Sequence, residues 1–179
     1  MTQRKDLLFA PDGDAGAVLA DWWQGLAQDR GGRAELRRAR SPDDLVLIPT
    51  TIELFTRLRK TPVATHKWWE PRIPPIAGLA AHLAPDAKAL ILGDPAAGAL
   101  PKAMARASEG GGRPQVSELR FRRLLRLSRG DLYRPMVRIL AQLDGRANLF
   151  ELAETIFWWG PGTKKSWAFA YFPNLKQSA

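Results

Sequence analysis

Cysteine is absent from this chain, which excludes disulfides, thiolate metal sites and cysteine nucleophiles, and suits a reducing compartment. Imidazole is nearly absent too. Only His66 and His82 carry it, and neither has a second histidine three or four residues away, so a paired metal site or a histidine-activated nucleophile lacks local support. No apolar run approaches the roughly 20 residues that would span a bilayer. Met1–Ala10 holds only Leu7-Leu8-Phe9, too short for a secretory signal core. Gly110-Gly111-Gly112 is not followed by the Lys and Ser or Thr of a phosphate loop. The expectation is a cytoplasmic chain with no membrane contact, no cofactor, no metal and no catalytic residue.

What the chain does have is positive charge: 27 Lys and Arg against 18 Asp and Glu, a net +9 with a pI near 10.5. Such a balance speaks to partners rather than to fold, and makes polyanions the leading class. The charge is blocked. Residues 30–40 carry Arg30, Arg33, Arg37, Arg38 and Arg40 against Glu35; residues 57–72 carry Arg57, Arg59, Lys60, Lys67 and Arg72 against Glu70. The largest block, residues 113–138, sets eight arginines against Glu118 and Asp131. These three segments hold more than the whole net charge, because residues 1–29 and 41–56 are each acidic.

Helical periodicity dominates. Val18, Leu19, Trp22, Trp23 and Leu26 form a stripe over Ala15 to Gln28, with Asp12 or Asp14 as N-cap and Gly31 as stop. Ser41-Pro42-Asp43-Asp44 reads as a capping serine, a proline at the first helical position and carboxylates facing the positive end of the helix dipole. That helix runs towards Lys60 and is kinked or interrupted by Pro49. Pro71, Pro74 and Pro75 impose an extended passage before a short apolar helix, Ile76 to Leu83. Ala87 to Leu92 reads as helix or buried strand, with helix preferred. Asp94-Pro95 opens a further helix towards Ser108, and Glu109 to Pro114 has the composition of flexible coil. Helices are then predicted at about Gln115 to Ser128, Asp131 to Leu143, Asn148 to Trp158 (with Glu151 in capping-box position) and Lys164 to Tyr171.

The segment Leu119 to Arg129 is the most informative. Wound at 100° per residue, Phe121, Leu124, Leu125 and Ser128 share one face, while Arg122, Arg123, Arg126 and Arg129 share the opposite one, flanked by Arg120. Helical turns rise about 5.4 Å, comparable to phosphate spacing along a strand, so a guanidinium row suits charge-assisted backbone contacts. A solvated basic face with i,i+4 partners is the plain alternative. It is weakened here because the ridge lacks acidic partners, leaving its charges to repel. Arg33, Arg37 and Arg40 share a face on a shorter helix, with Leu36 turned inward.

Seven tryptophans are the other anomaly. Exposed rings would stack unpaired bases; buried ones supply large apolar area. Core packing is the preferred reading for Trp22, Trp158 and Trp167. Trp68 and Trp69, beside Lys67 and Arg72 in a proline-bounded segment, stay open between the two. Asp43 and Asp44 fit helix-start residues better than a nuclease site.

Three landmarks resemble a known family: Trp22-Trp23-x-x-Leu26 followed by Arg33-Ala34-x-Leu36-Arg37-Arg38-Ala39; Arg120-Phe121-Arg122-Arg123-Leu124-Leu125; and Trp159 with Trp167-Ala168-x-x-Tyr171-Phe172. In order and spacing they are similar to the CasB proteins, the small subunit of the type I-E CRISPR surveillance complex called Cascade. From about Pro62 to Pro114 the likeness extends only to a helical, proline-broken character. The resemblance implies an all-α protein, present as two copies beside the other Cascade subunits that hold the guide RNA. It also implies a role: binding and steadying the DNA strand displaced when guide and target pair. That exchange is nearly balanced energetically, so modest backbone contacts tip it.

The fold expected is therefore all-α, a compact helical bundle in a single domain over residues 1–179. Two helical lobes, residues 1–108 and 115–179 joined by a loop at 109–114, are a possible division. The function expected is a non-catalytic Cascade small subunit. It would bind nucleic-acid backbone through Arg33, Arg37, Arg38, Arg40, Lys67, Arg120, Arg122, Arg123, Arg126, Arg129, Arg134, Lys164 and Lys165. Its partners would be single-stranded and R-loop DNA, guide RNA indirectly, other Cascade subunits and a second copy of itself. The rivals are a basic helical regulator that reads a DNA sequence, and a metal-dependent nuclease built on Asp43, Asp44, Glu53 and Glu118.

Overall fold

The computed structural model describes residues 7–177, and the side chains of residues 7–175; part of the reading of the first ten residues therefore lies outside the described residues. Among the described residues eleven α-helices follow in order: α1 (Asp14–Gly25), α2 (Arg30–Arg38), α3 (Pro42–Val46), α4 (Pro49–Leu58), α5 (Ile73–Ala80), α6 (Lys88–Ile91), α7 (Ala99–Ala105), α8 (Glu118–Arg126), α9 (Tyr133–Gln142), α10 (Leu149–Phe157) and α11 (Pro161–Gln177). One two-stranded hairpin, β1 (Ala107–Ser108) and β2 (Gly111–Pro114), interrupts them. The protein is all-α, as its periodicity predicts.

Helix α5 lies at the centre. Every residue from Ile73 to Ala80 is buried, and α2, α3, α4, α9 and α10 all pack on it. Proline at its first turn costs nothing there, because those amides have no partner within the helix. Its small residues let neighbours come close. Farther along the chain, α7 packs on α11. One continuous buried cluster runs from Phe9 to Tyr171 and takes residues from both sides of the hairpin.

Several local expectations hold at atomic detail. Ser41 caps α3, its hydroxyl accepting from Asp44 N (3.3 Å) while the Asp44 carboxylate accepts from Ser41 N (3.0 Å). Pro49 interrupts rather than kinks, occupying the first turn of α4. Asn148 caps α10 by accepting from Glu151 N (3.0 Å).

Others fail for identifiable reasons. Gly31 does not stop α1. It sits in the first turn of α2, where Asp29 is the cap, accepting from Gly32 N (2.9 Å). Neither Asp12 nor Asp14 caps α1; Gly13 occupies that position without a side-chain bond. Glu151 leaves the capping box half-made, because its carboxylate accepts instead from Leu100 N at the start of α7 (3.0 and 3.1 Å). The helix expected from Asp94-Pro95 begins only at Ala99, and the one expected from Gln115 begins at Glu118, capped by Ser117. The stretch Glu109 to Pro114, expected as flexible coil, is the hairpin. Gly110 takes φ 84° at its turn, the left-handed region where glycine has no steric penalty. Gln115 N and Val116 N then donate to Arg106 O (2.8 Å) and Met104 O (2.9 Å), closing its base.

Two glycines of α1 give a sharp test of packing. A Cβ on Gly16 would collide with the backbone carbonyl of Ala10 and lie 3.0 Å from Phe9 O, whereas one on Gly25 meets nothing within 4 Å. Gly16→Ala should lower unfolding free energy by about 1–3 kcal/mol through overpacking against immovable backbone, and Gly25→Ala should raise it by up to about 1 kcal/mol through helix propensity. Chemical denaturation of both variants measures the contrast.

Candidate nucleic-acid interface

Helix α2 presents two kinds of arginine. Leu36 faces the core, fully buried, as expected. Arg33 also turns inward: its Nε donates to Ala81 O (3.1 Å) and an Nη to Leu83 O (2.7 Å), just beyond the end of α5. Burial, then the nearby Arg37 charge, lowers its pKa from the ordinary value. Trp23 contributes to the same end, its Nε1 donating to Ala80 O (3.0 Å). The last carbonyls of a buried helix run out of intrahelical donors; Arg33 serves Ala81 O and Leu83 O, and Trp23 joins Leu83 N on Ala80 O. Arg37 and Arg38 remain exposed. Arg40 is exposed as well, just past the helix and close to the Asp44 carboxylate. Against this face His82 is pushed down to about 4, mainly by burial and then by Arg37 and Arg33, so it stays neutral at physiological pH.

Helix α8 repeats the division. Phe121 is fully buried and stacks on Tyr171 (centroids 3.8 Å, planes 7° apart), with Phe172 edge-on at 5.8 Å and Trp167 at 6.4 Å. Tyr171 Oη donates to Val116 O (2.6 Å), tying α11 to the approach to α8. Two landmarks far apart in the chain are thus one aromatic contact. On the outer face Arg120, Arg123 and Arg126 are exposed, and among the described residues no carboxylate pairs with Arg123 or Arg126.

The ridge departs from expectation at both ends. Arg122 has an acidic partner: Nε and Nη both lie 2.8 Å from Glu118 Oε1, one turn back, while the guanidinium covers the Phe172 ring at 4.8 Å. Arg129 is not on the ridge, because the helix ends at Arg126. Beyond it the chain turns inward, and Arg129 donates to Phe157 O (2.6 Å) and Trp159 O (2.7 Å) at the end of α10. Arg72 meets the same carbonyl, Phe157 O, at 3.1 Å. Two cations so placed favour the negative end of the helix dipole. Burial and then Arg72 lower the pKa of Arg129 from its ordinary value.

Of the remaining candidates, Lys164 donates to Leu127 O (2.8 Å), the residue that closes α8, and lies over the Trp159 ring. Lys67, Arg134 and Lys165 are exposed, Lys165 over the exposed Phe169 ring. The thirteen predicted cations therefore divide. Arg33, Arg129 and Lys164 bond backbone carbonyls, Arg122 is exposed but paired with Glu118, and the rest of the exposed set centres on Arg37 and Arg38 on α2 and Arg120, Arg123 and Arg126 on α8.

Tryptophan burial also differs from the reading above. Trp22 and Trp167 are core, but Trp158 is 42% exposed and Trp159 takes the buried position instead. Trp69 is buried and stacks on Phe55 (4.6 Å), while Trp68 is 75% exposed. No local pattern separates the members of each pair; adjacent residues simply point to different sides of the chain.

The carboxylates are dispersed. Asp44 caps a helix, Glu53 lies near Arg57 (3.7 Å) and Glu118 pairs with Arg122. Among the described residues no three His, Asp or Glu side chains converge as metal ligands would. The most perturbed acid, Glu151, is raised by burial to about 7, well away from α2 and α8 in sequence and bonded to the start of α7. Glu154, one turn on, is likewise raised by burial, and accepts from Phe9 N (2.6 Å). Both anchor neighbouring backbone.

Fold and surface together describe a helical protein with a buried aromatic core and exposed guanidiniums on two outer helices. Residues 32–172 match the model of the CRISPR-associated protein Cse2 family, and the chain belongs to that family, the CasB proteins its landmarks resemble. The fold is also similar to a chain in the crystal structure of E. coli Cascade bound to a PAM-containing dsDNA target, with a TM-score of 0.67 at 22% identity over 93% of this chain and 99% of that one. Among curated proteins no sequence matches.

Two outcomes separate fold-holding residues from binding ones. Arg129→Ala should cost about 1.5–3 kcal/mol in unfolding free energy, the range for hydrogen bonds from a charged donor, read by chemical denaturation. For Glu151, burial disfavours the ionised form in the folded chain. Its contribution to stability is therefore greatest below the ordinary 4.5, declines as pH rises towards about 7, and is flat above. Glu151→Gln keeps an acceptor for Leu100 N and should flatten that decline, an effect on the order of 3 kcal/mol, measured as thermal stability from pH 4 to 8.

Proposed function

We propose that this chain serves as a non-catalytic small subunit of a Cascade-type RNA-guided complex, holding the backbone of a displaced DNA strand on its exposed guanidiniums. Family membership supports the setting, since the fold is shared with a chain of a Cascade assembled on target DNA. The observation that carries the chemistry is narrower. Arg123 and Arg126 stand exposed on one helix with no carboxylate paired to them among the described residues, while α8 is held from behind by the stack of Phe121 on Tyr171. Such a row is electrostatically incomplete until an anion arrives, and a flexible single strand can bring successive phosphates to it. Arg37 and Arg38 supply a second, separate contact.

Contacts of this kind read no sequence. The exposed side chains of α8 are Glu118, Leu119 and arginines, without the Asn or Gln that pairs with adenine edges, so nothing favours the regulator reading. Guide RNA would be met only indirectly, and the other subunits and a second copy of the chain would complete the assembly.

Binding to single-stranded DNA should weaken with salt at a log-log slope of about −0.7 per phosphate neutralised, with little dependence on sequence. Arg123→Glu with Arg126→Glu should lower affinity at least tenfold, on the scale of about 1.4 kcal/mol, without lowering the melting temperature. Unchanged affinity would remove α8 from the interface. Discrimination of one duplex by about a thousandfold over random DNA would support a sequence-reading regulator instead.

A further inference from the structure

Trp68 combines two features that are individually uncommon. Its indole is 75% exposed, and its backbone takes φ 58°, the left-handed region that a bulky side chain rarely adopts. Glycine or asparagine usually occupies such a turn. Strain of this kind persists only where the surroundings enforce it, and it is concentrated at ligand-binding positions. Here the enforcement is visible on both sides. Trp69 is buried against Phe55 of α4, and His66 stands edge-on to Phe157 (5.7 Å) and Trp158 (5.1 Å) of the α10 end. With Trp69 and His66 anchored on either side, the turn leaves Trp68 outward.

The surroundings match one ligand chemistry. Trp158, in contact with His66, is itself 42% exposed, and Arg72 lies over its ring at 5.8 Å. Lys67 is exposed next to Trp68, and Arg59 lies one helical turn beyond Phe55. Glu70 is the one carboxylate in the run 57–72. Exposed aromatic faces among cations are the means by which proteins hold unpaired bases without reading them, ring stacked on base and cation beside phosphate.

We propose that Trp68 is a stacking platform for an unpaired base of single-stranded DNA, the neighbouring phosphate being met by Lys67. This deepens the strand-holding function proposed above and rests on it. The platform adds a contact to the bases themselves that the arginine helices do not make, and it predicts a preference for strands that carry bases.

The test uses the full-length chain and two strands of equal length, oligo-thymidine and the same backbone with abasic sites. Trp68→Gly suits φ 58° and removes only the indole, so its melting temperature should equal or exceed that of the wild type. The wild type should prefer the thymidine strand by at least about fivefold, the low end of what one stacked base contributes. Trp68→Gly should lose that preference with its salt slope unchanged, and Trp68→Phe should retain part of it. Equal binding of both strands by the wild type, or an equal loss on the abasic strand in Trp68→Gly, overturns the platform and leaves phosphate binding standing. Failure of the wild type to bind either strand overturns both. Unchanged DNA preference in Trp68→Gly together with weakened self-association assigns the indole to a protein neighbour and overturns the platform as well.

Discussion

A wholly buried helix must find donors for the carbonyls at its end, and much of this structure follows from how α5 does so. All of its residues are buried. Ala80 O, which already accepts from Leu83 N, also receives Trp23 Nε1, and Ala81 O and Leu83 O receive the Arg33 guanidinium. Leaving the last two carbonyls unmet would cost roughly 1–3 kcal/mol each. The long reach of an indole and a guanidinium therefore positions α1 and α2 relative to the centre. Once α2 is set in this way, Arg37 and Arg38 have no inward route and are held at the surface.

The same device recurs at the end of α10, where Arg72 and Arg129 converge on Phe157 O. Two of the three basic blocks thus each give a guanidinium to this carbonyl. Arginine suits both tasks, because its fork bonds carbonyls when half-buried and phosphates when exposed. Counting arginines in a block consequently overstates its binding surface. It also explains why the landmarks that resemble the family are informative about fold: Trp23, Arg33, Phe121, Trp167 and Tyr171 are caps and core, whereas the nucleic-acid contacts proposed fall on residues between them.

Tryptophan pairs show the limit of local reading from another side. In Trp22-Trp23 both rings are buried, each with its Nε1 on a backbone carbonyl. In Trp68-Trp69 and Trp158-Trp159 one ring of each pair is exposed. Nothing in the composition of the pairs distinguishes the first from the other two.

The amino-acid sequence alone determined the helical class, the caps at Ser41 and Asn148, the break at Pro49, the inward faces of α2 and α8 and the cationic character of their outer faces. All of these depend on interactions within about four residues, where periodicity and capping chemistry are written directly. Tertiary structure alone decided which cations are free. Arg33 bonds carbonyls 48 and 50 residues away and Arg129 bonds carbonyls 28 and 30 residues away, separations at which spacing carries no signal. It likewise decided the exposure of Trp68 and Trp158, because whether a ring is covered depends on what packs from elsewhere in the chain.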